Sequence, residues 1–352
     1  MVALPARVAV NGYGTIGKRI ADALLRVRDF ELLGVAKYTP DYSAALAARR
    51  GIRIFAPREK FEEFRKIGVE PEGDVEYLIS EADLVYDASP AGRGARNKEL
   101  YLKYKKPAVF QGGEKPSVAD VSYSTLCNYE KATGARYVRV VSCNTTGLLR
   151  VLCSIGVENL RSVFAVIVRR GADPKEDSKG PINSMILDPP SIPSHHAEDA
   201  RTVVADLDIT TVALAVPTTL MHTQVIEAHL TRELRAEDVL KALEKHGRAL
   251  LVDPELYGLG STAQLVELAR DAGRPRYDIY ENVVYTSTVS TRSGILTLVQ
   301  SIHQEAIVVP ENIDVAYALL NLELDSARVV EKTNRALGIG DLKHIIPRVH
   351  TK

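Results

Sequence analysis

The 352-residue sequence predicts two α/β domains: an N-terminal doubly wound parallel sheet, then an α+β domain with a mostly antiparallel sheet. Three observations carry this. Short apolar strands alternate with helical patterns up to Val141, a glycine-rich turn joins the first strand to the first helix, and longer strands with proline-rich loops follow Cys143. The length also exceeds that of one ordinary domain.

The elements follow in order. Arg7 to Asn11 is a short apolar strand, and Ile16, Ile20, Ala23, Leu24 and Val27 then recur at helical spacing. Glu31 to Ala36, Ala82 to Asp87, Pro107 to Phe110 and Tyr137 to Val141 are further buried strands with helical patterns between several of them. Such alternation builds a parallel sheet covered on both faces through right-handed crossovers. Beyond Cys143, Ser162 to Arg169 and Thr210 to Val216 are longer strands, and the Pro-rich stretch Asp188 to Pro193 is a loop. Pro310 to Leu337 has Pro at its start, helical apolar spacing and Gly338 as a stop, so it reads as helix.

Lys plus Arg total 45 and Asp plus Glu total 45, which gives no ground for a nucleic-acid or acidic-membrane partner and favours small-molecule chemistry. The start lacks a basic flank, apolar core and small-residue cleavage site, and no run of about 18 apolar residues occurs, so a soluble cytoplasmic protein is expected. The absence of Trp, the three Met and the abundance of Arg, Glu and Lys point toward heat tolerance. Of the three cysteines, Cys127 and Cys153 either pair or sit inert in a core.

Gly12-Tyr13-Gly14-Thr15-Ile16-Gly17 is a G-x-G-x-x-G turn between strand and helix, the context in which that spacing means dinucleotide binding. Gly12 permits the tight turn, Gly14 lets the backbone approach a pyrophosphate, and Gly17 lets helix and strand pack closely. The helix N-terminus offers N–H groups to the phosphates. Where an NAD-specific chain places a carboxylate, this one has Lys37, so NADP is expected to be accepted alongside or ahead of NAD.

Ser142-Cys143-Asn144-Thr145 follows the strand ending at Val141 and opens an apolar helix, so the Cys143 thiol stands at a helix N-terminus, where thiolates are favoured. Asn144 and the Thr145 hydroxyl add hydrogen-bond donors. His195, His196 and His222 are candidate bases, since imidazole titrates near neutrality. No metal site is expected: adjacent histidines rarely converge and no nearby cysteine completes a set. Arg169 and Arg170 end a strand and suit bidentate phosphate recognition.

The segments NGYGTIGKR, FQGGEK, SCNTTGL, RRGADP, GPIN, IPSHH, STAQL, HQE and VPENID, in order and nearly end to end, resemble the archaeal type of phosphorylating glyceraldehyde-3-phosphate dehydrogenase. The resemblance implies a Rossmann domain over residues 1–141 completed by C-terminal helices over 311–352, a catalytic domain over 142–310, and a homotetramer. It also implies that Cys143 forms a hemithioacetal and then a thioester, with His222 as base. Ser142 and Asn144 would flank glyceraldehyde 3-phosphate, with Thr145 beside them. His195, His196 and Arg169 would hold substrate or inorganic phosphate, in company with Arg170. Thr15, Ile16, Gly113 and Gln304 match cofactor contacts, and Arg170 is counted with them. Three features depart from the family: Gln224 where a second histidine is common, Tyr38 after Lys37, and an extra tail from Gly340 to Lys352. Rival readings are a semialdehyde or acyl-phosphate reductase with the same Rossmann domain and cysteine, and a nucleotide-sensing protein without catalysis.

Overall fold

The computed structural model describes residues 4–173 and 180–347. The last residue of the RRGADP segment and positions 348–352 of the tail lie outside the described residues.

The chain forms two compact units, one of residues 1–140 with 311–329, the other of 141–310 with 330–352. In the first, seven strands run β1 Ala6–Asn11, β2 Phe30–Ala36, β3 Ile54–Phe55, β4 Leu84–Asp87, β5 Ala108–Phe110, β6 Val121–Tyr123 and β7 Tyr137–Val140. Their order is β3-β2-β1-β4-β5-β7-β6 and every pairing is parallel. The expected doubly wound sheet is present. Its strands read as unbroken apolar runs because both faces are buried, with Val8, Val10, Val85 and Phe110 fully enclosed. β3 and β6 were not read from the sequence, since two or three residues show no period.

Glu311 to Val329 joins this unit through buried apolar side chains, among them Tyr317 with its ring 5.0 Å from that of Phe30, and through polar groups. The Thr125 N–H donates to Glu311 at 2.6 Å, the Thr125 hydroxyl to Asp314 at 2.8 Å, and the Tyr317 hydroxyl to Asp29 at 2.6 Å. The helix expected from Pro310 to Leu337 is two, Val309–Leu319 and Ser326–Leu337. The break contains Asn321 at a φ of 52°, a left-handed turn, and Asp325, whose carboxylate accepts the Ala327 N–H at 2.9 Å and opens the second helix.

The second unit holds β8 Leu160–Arg170, β9 Ile186–Leu187, β10 Ile209–Val216, β11 His222–Leu230, β12 Ala249–Val252, β13 Asn282–Tyr285, β14 Ser290–Arg292 and β15 Ile295–Ile302. They form one sheet in the order β12-β13-β15-β11-β8-β10-β9, with β14 on β15. Two pairings, β8 with β10 and β12 with β13, are parallel, and the rest are antiparallel as expected. Period-2 alternation puts His222, Gln224, Ile226 and Ala228 on the buried face of β11, and Val225 on the other.

Residues 330–352 fall with this unit and not with the first, against the boundary that the resemblance implied. The reason is packing. Leu342 and Ile346 lie in a core cluster with Met221, Leu250, Leu265 and Val283, and the Gly340 N–H donates to buried Glu281 at 2.8 Å.

Candidate active site

In the first unit, Gly12 follows β1 at a φ of 109°, and a Cβ there would stand 2.6 Å from the Ala88 carbonyl oxygen. A Cβ at Gly17 would fall 1.8 Å from the Gly12 oxygen, so both positions require glycine. Around Gly14 nothing lies within 4 Å, which leaves the turn open on that side. The helix Thr15–Leu24 has Gly14 as N-cap and no side-chain cap, so Thr15 and Ile16 start a helix whose first N–H groups no side chain satisfies. The turn lies where β2 leaves to one side of β1 and β4 to the other, the switch point at which such sheets bind nucleotides. Gly113 approaches Ala91 so closely that a Cβ would meet its methyl at 3.1 Å.

Lys37, just past β2, is nearly buried and pairs with Asp41 at 2.8 Å. Burial would raise the Asp41 carboxyl, but bonds from Lys37, Ser43 and Ala44 hold it at about 2. Lys37 is therefore a partnered ammonium, not a solvated one. Next to it the Tyr38 hydroxyl donates to Asn11 at 2.7 Å, and burial followed by the charge of Asp87 pushes it up to about 12. Asp41 is a site residue that the sequence reading missed, although its place as N-cap of the helix Tyr42–Arg49 was a usable signal.

In the second unit Cys143 is the first residue of the helix Cys143–Ile155 and the one free cysteine among the described residues, Cys127 and Cys153 being disulfide-bonded. Ser142 caps the helix. Its Oγ accepts the Thr145 N–H at 3.4 Å and shares a hydrogen bond with the Thr145 hydroxyl at 2.8 Å, so buried Thr145 serves the cap. The Ser142 N–H donates to Asp199 at 3.1 Å, which ties the helix His195–Arg201 to the start of the nucleophile helix. The thiol is not pushed down as its helix position suggested. Burial raises it, the charges of Arg169 and Arg170 and the Asn144 N–H pull it back, and Glu305 opposes them.

His222 opens β11, is buried, and accepts the Arg170 N–H on Nδ1 at 3.0 Å. A backbone N–H must face a ring nitrogen, so the neutral ring carries its proton on Nε2. Burial and then the charges of Arg170 and Arg169 keep His222 well below its ordinary range, hence uncharged. His196, also buried, is lowered to about 2 by burial and by His195, and neither ring nitrogen has a partner, while His195 is exposed with its ring 3.9 Å away. Neither His196 nor His222 is a cationic phosphate ligand at neutral pH.

The arginines are engaged. Arg169 pairs with Asp188, and Arg170 with Asp173 and, at 3.0 Å, with Glu305. Buried Glu305 also accepts from Gln304 Nε2 at 2.8 Å and from His303 Nε2 at 2.8 Å, leaving the Gln304 Oε1 without a partner. Glu305 and Asp199 were missed by the sequence reading, although Glu305 stands inside the quoted HQE segment. Residues 142, 143, 144, 145, 169, 170, 195, 196, 222 and 304 thus all belong to the second unit, and the glycine turn, Lys37 and Gly113 to the first.

Residues 142–272 match the family model described as glyceraldehyde 3-phosphate dehydrogenase, C-terminal domain. The chain is 50% identical over 335 residues to a glyceraldehyde-3-phosphate dehydrogenase of Metallosphaera sedula, covering 95% of this chain and 98% of that one. It is 50% identical to one of Hyperthermus butylicus, with 97% and 99% covered, and 49% identical to one of Methanopyrus kandleri, with 94% and 97% covered. In structure it is similar to aspartate semialdehyde dehydrogenase II of Vibrio cholerae, with a TM-score of 0.64 at 13% identity, 90% of this chain and 99% of that one being covered.

Proposed function

The chain belongs to the glyceraldehyde-3-phosphate dehydrogenase family, and from that premise we propose that it converts glyceraldehyde 3-phosphate and inorganic phosphate to 1,3-bisphosphoglycerate through a thioester on Cys143. The observation that carries the proposal is a free thiol on the first residue of a capped helix, in the fields of two arginines that also act on buried, neutral His222.

The first unit fits a nicotinamide dinucleotide: the open turn at Gly14 and the uncapped helix at Thr15 suit a pyrophosphate. When bound, the nicotinamide supplies the hydride acceptor. The residues of this chain do the rest. Cys143 gives its proton to water, and the thiolate adds to the aldehyde carbon. Arg169 and Arg170 favour the thiolate, and donors at the helix start stabilise the alkoxide. Loss of hydride from that alkoxide leaves the thioester, and inorganic phosphate attacks it, forming the acyl phosphate and restoring the Cys143 thiolate. Because the Nδ1 of His222 is occupied, its Nε2–H acts as a hydrogen-bond donor to the developing charge, and no step requires it to take a proton. Cys143 thus cycles as a thiolate, and the proton released in each turnover is the one that hydrogen phosphate loses to water as the acyl phosphate forms.

We assign Lys37 to the adenosine side of the cofactor. Its pairing with Asp41 tempers the charge it offers a 2′-phosphate, which supports use of both NAD and NADP. We likewise assign Gly113 and Gln304 to the cofactor, and Ser142, Asn144, His195, His196 and Arg169 to substrate and phosphate. A homotetramer accords with the outer face of the second sheet, where Phe164, Val225 and Leu187 stand exposed. We place the reaction in the cytoplasm, and the even charge balance supports small-molecule partners.

The test is NAD(P)H formation from glyceraldehyde 3-phosphate, with and without inorganic phosphate, for the wild type, Cys143→Ser and Lys37→Asp. Phosphate-dependent turnover with both cofactors is expected, abolished in Cys143→Ser and shifted toward NAD in Lys37→Asp. Turnover of a carboxylate-bearing semialdehyde alone would replace the proposal with the reductase reading.

A further inference from the structure

Four amide side chains, Asn144, Gln224, Asn282 and Gln300, are buried together beneath the first turn of the nucleophile helix. Gln224 Nε2 donates to the Asn144 carbonyl at 2.9 Å and to Asn144 Oδ1 at 3.2 Å. Gln224 Oε1 accepts from Gln300 Nε2 at 2.8 Å. Gln300 and Asn282 both donate to the Gly147 carbonyl, at 3.0 Å and 2.8 Å, and Asn282 also donates to Gln300 Oε1 at 2.8 Å. The register of the sheet brings this about, because Gln224 on β11 lies directly opposite Gln300 on β15. Gly147 permits the approach: a Cβ there would stand 3.0 Å from Ile302 and 3.3 Å from Gln224 Oε1.

A main-chain carbonyl only accepts, so the helix fixes which end of the Gln224 amide is the donor. That donor meets the oxygen of the Asn144 side chain. Asn144 is thereby held with Oδ1 turned to Gln224, and its Nδ2 is the end without a hydrogen bond among the described residues. The main-chain N–H of Asn144 already supports the Cys143 sulfur.

We infer that Gln224 is a positioning residue: it orients the Asn144 carboxamide so that Nδ2, next to Cys143, is presented as a donor to the oxyanion formed when the thiolate adds to an aldehyde. The inference rests on the reading of Cys143 as nucleophile. Gln224 touches neither substrate nor sulfur and acts through Asn144, so its removal costs nothing further once Asn144 is gone. A role confined to stability would show no such dependence.

The experiment compares Gln224→Met, Gln224→His, Asn144→Ala and the Asn144→Ala/Gln224→Met double variant in the full-length enzyme. Gln224→Met is expected to lower kcat about 10- to 100-fold, the range for outer-shell partners, with KM for the aldehyde little changed. The double variant is expected to turn over as fast as Asn144→Ala alone. Gln224→His keeps an N–H donor in this place and is expected to stay within about threefold of the parent. A kcat unchanged in Gln224→Met, losses that multiply in the double variant, or a His variant as slow as the Met one would each overturn the inference.

Alkylation of Cys143 by iodoacetamide needs no turnover. Its pH midpoint is expected to stay that of the parent in Gln224→Met, because the oriented Nδ2 acts only once an aldehyde has added, and a shifted midpoint would overturn the inference. A parent that alkylates normally yet oxidises no aldehyde refutes the dehydrogenase reading, while an active parent matched by Gln224→Met refutes the positioning role alone.

Discussion

At the scale of single residues, burial outweighs local sequence context. A thiol at a helix N-terminus reads as a lowered pKa, yet Cys143 is raised, because desolvation exceeds the help of the helix and of both arginines. His196 shows the same effect with a consequence for stability. Its folded-state value of about 2 lies far below the ordinary 6.5, so as pH falls through 6.5 the unfolded chain takes up a proton that the folded chain refuses. Stability contributed by the neutral ring is present above that pH and is lost below it, at up to about 1.4 kcal/mol per pH unit. Denaturant unfolding followed from pH 7 to pH 5 is expected to show this loss, with a shallower slope in His196→Gln. An equal slope in both proteins would mean that His196 does not carry it.

At the scale of elements, strands with a clear period were legible, and so was the glycine turn, because φ of 109° at Gly12 and the close approach at Gly17 leave no choice of residue. The place of Cys143 was legible too, since a polar tetrad between an apolar strand and an apolar helix marks a helix start. Asp199, Glu305 and the Gln224 amides were not, since their partners lie 57, 135 and 80 residues away and no local pattern announces such pairings. The segment after Gly338 was equally opaque. Its four-residue helix Leu342–Ile345 is too short for a period, yet Leu342 is only 1% exposed. Leu342→Ala is expected to destabilise the second unit by about 3 kcal/mol, the usual cost of such a cavity. A loss below about 0.5 kcal/mol in chemical denaturation would show that the segment merely rests on the surface.

At the scale of the whole molecule, each unit is drawn from two stretches of chain, and the second unit carries a sheet with one exposed apolar face. Phe164 and Val225, each 42% exposed, are central to that face. Phe164→Glu would bury a charge in any assembly built there, so light scattering is expected to report a smaller particle than for the wild type, at unchanged helix content. An unaltered mass would place the assembly contact elsewhere.

The two-stretch construction of the first unit also bears on synthesis. A ribosome extrudes all seven strands of the parallel sheet, and then residues 141–310, before Glu311 appears. Until that moment Thr125 has neither Glu311 nor Asp314 to receive its donors, and Asp29 lacks Tyr317. Nascent chains therefore carry an incomplete nucleotide-binding unit until residues 311–329 emerge, and the stretch from residue 330 onward completes the second unit directly after. Premature termination anywhere before residue 311 releases a polypeptide in which neither unit has its full complement of partners, a ready substrate for proteolytic clearance.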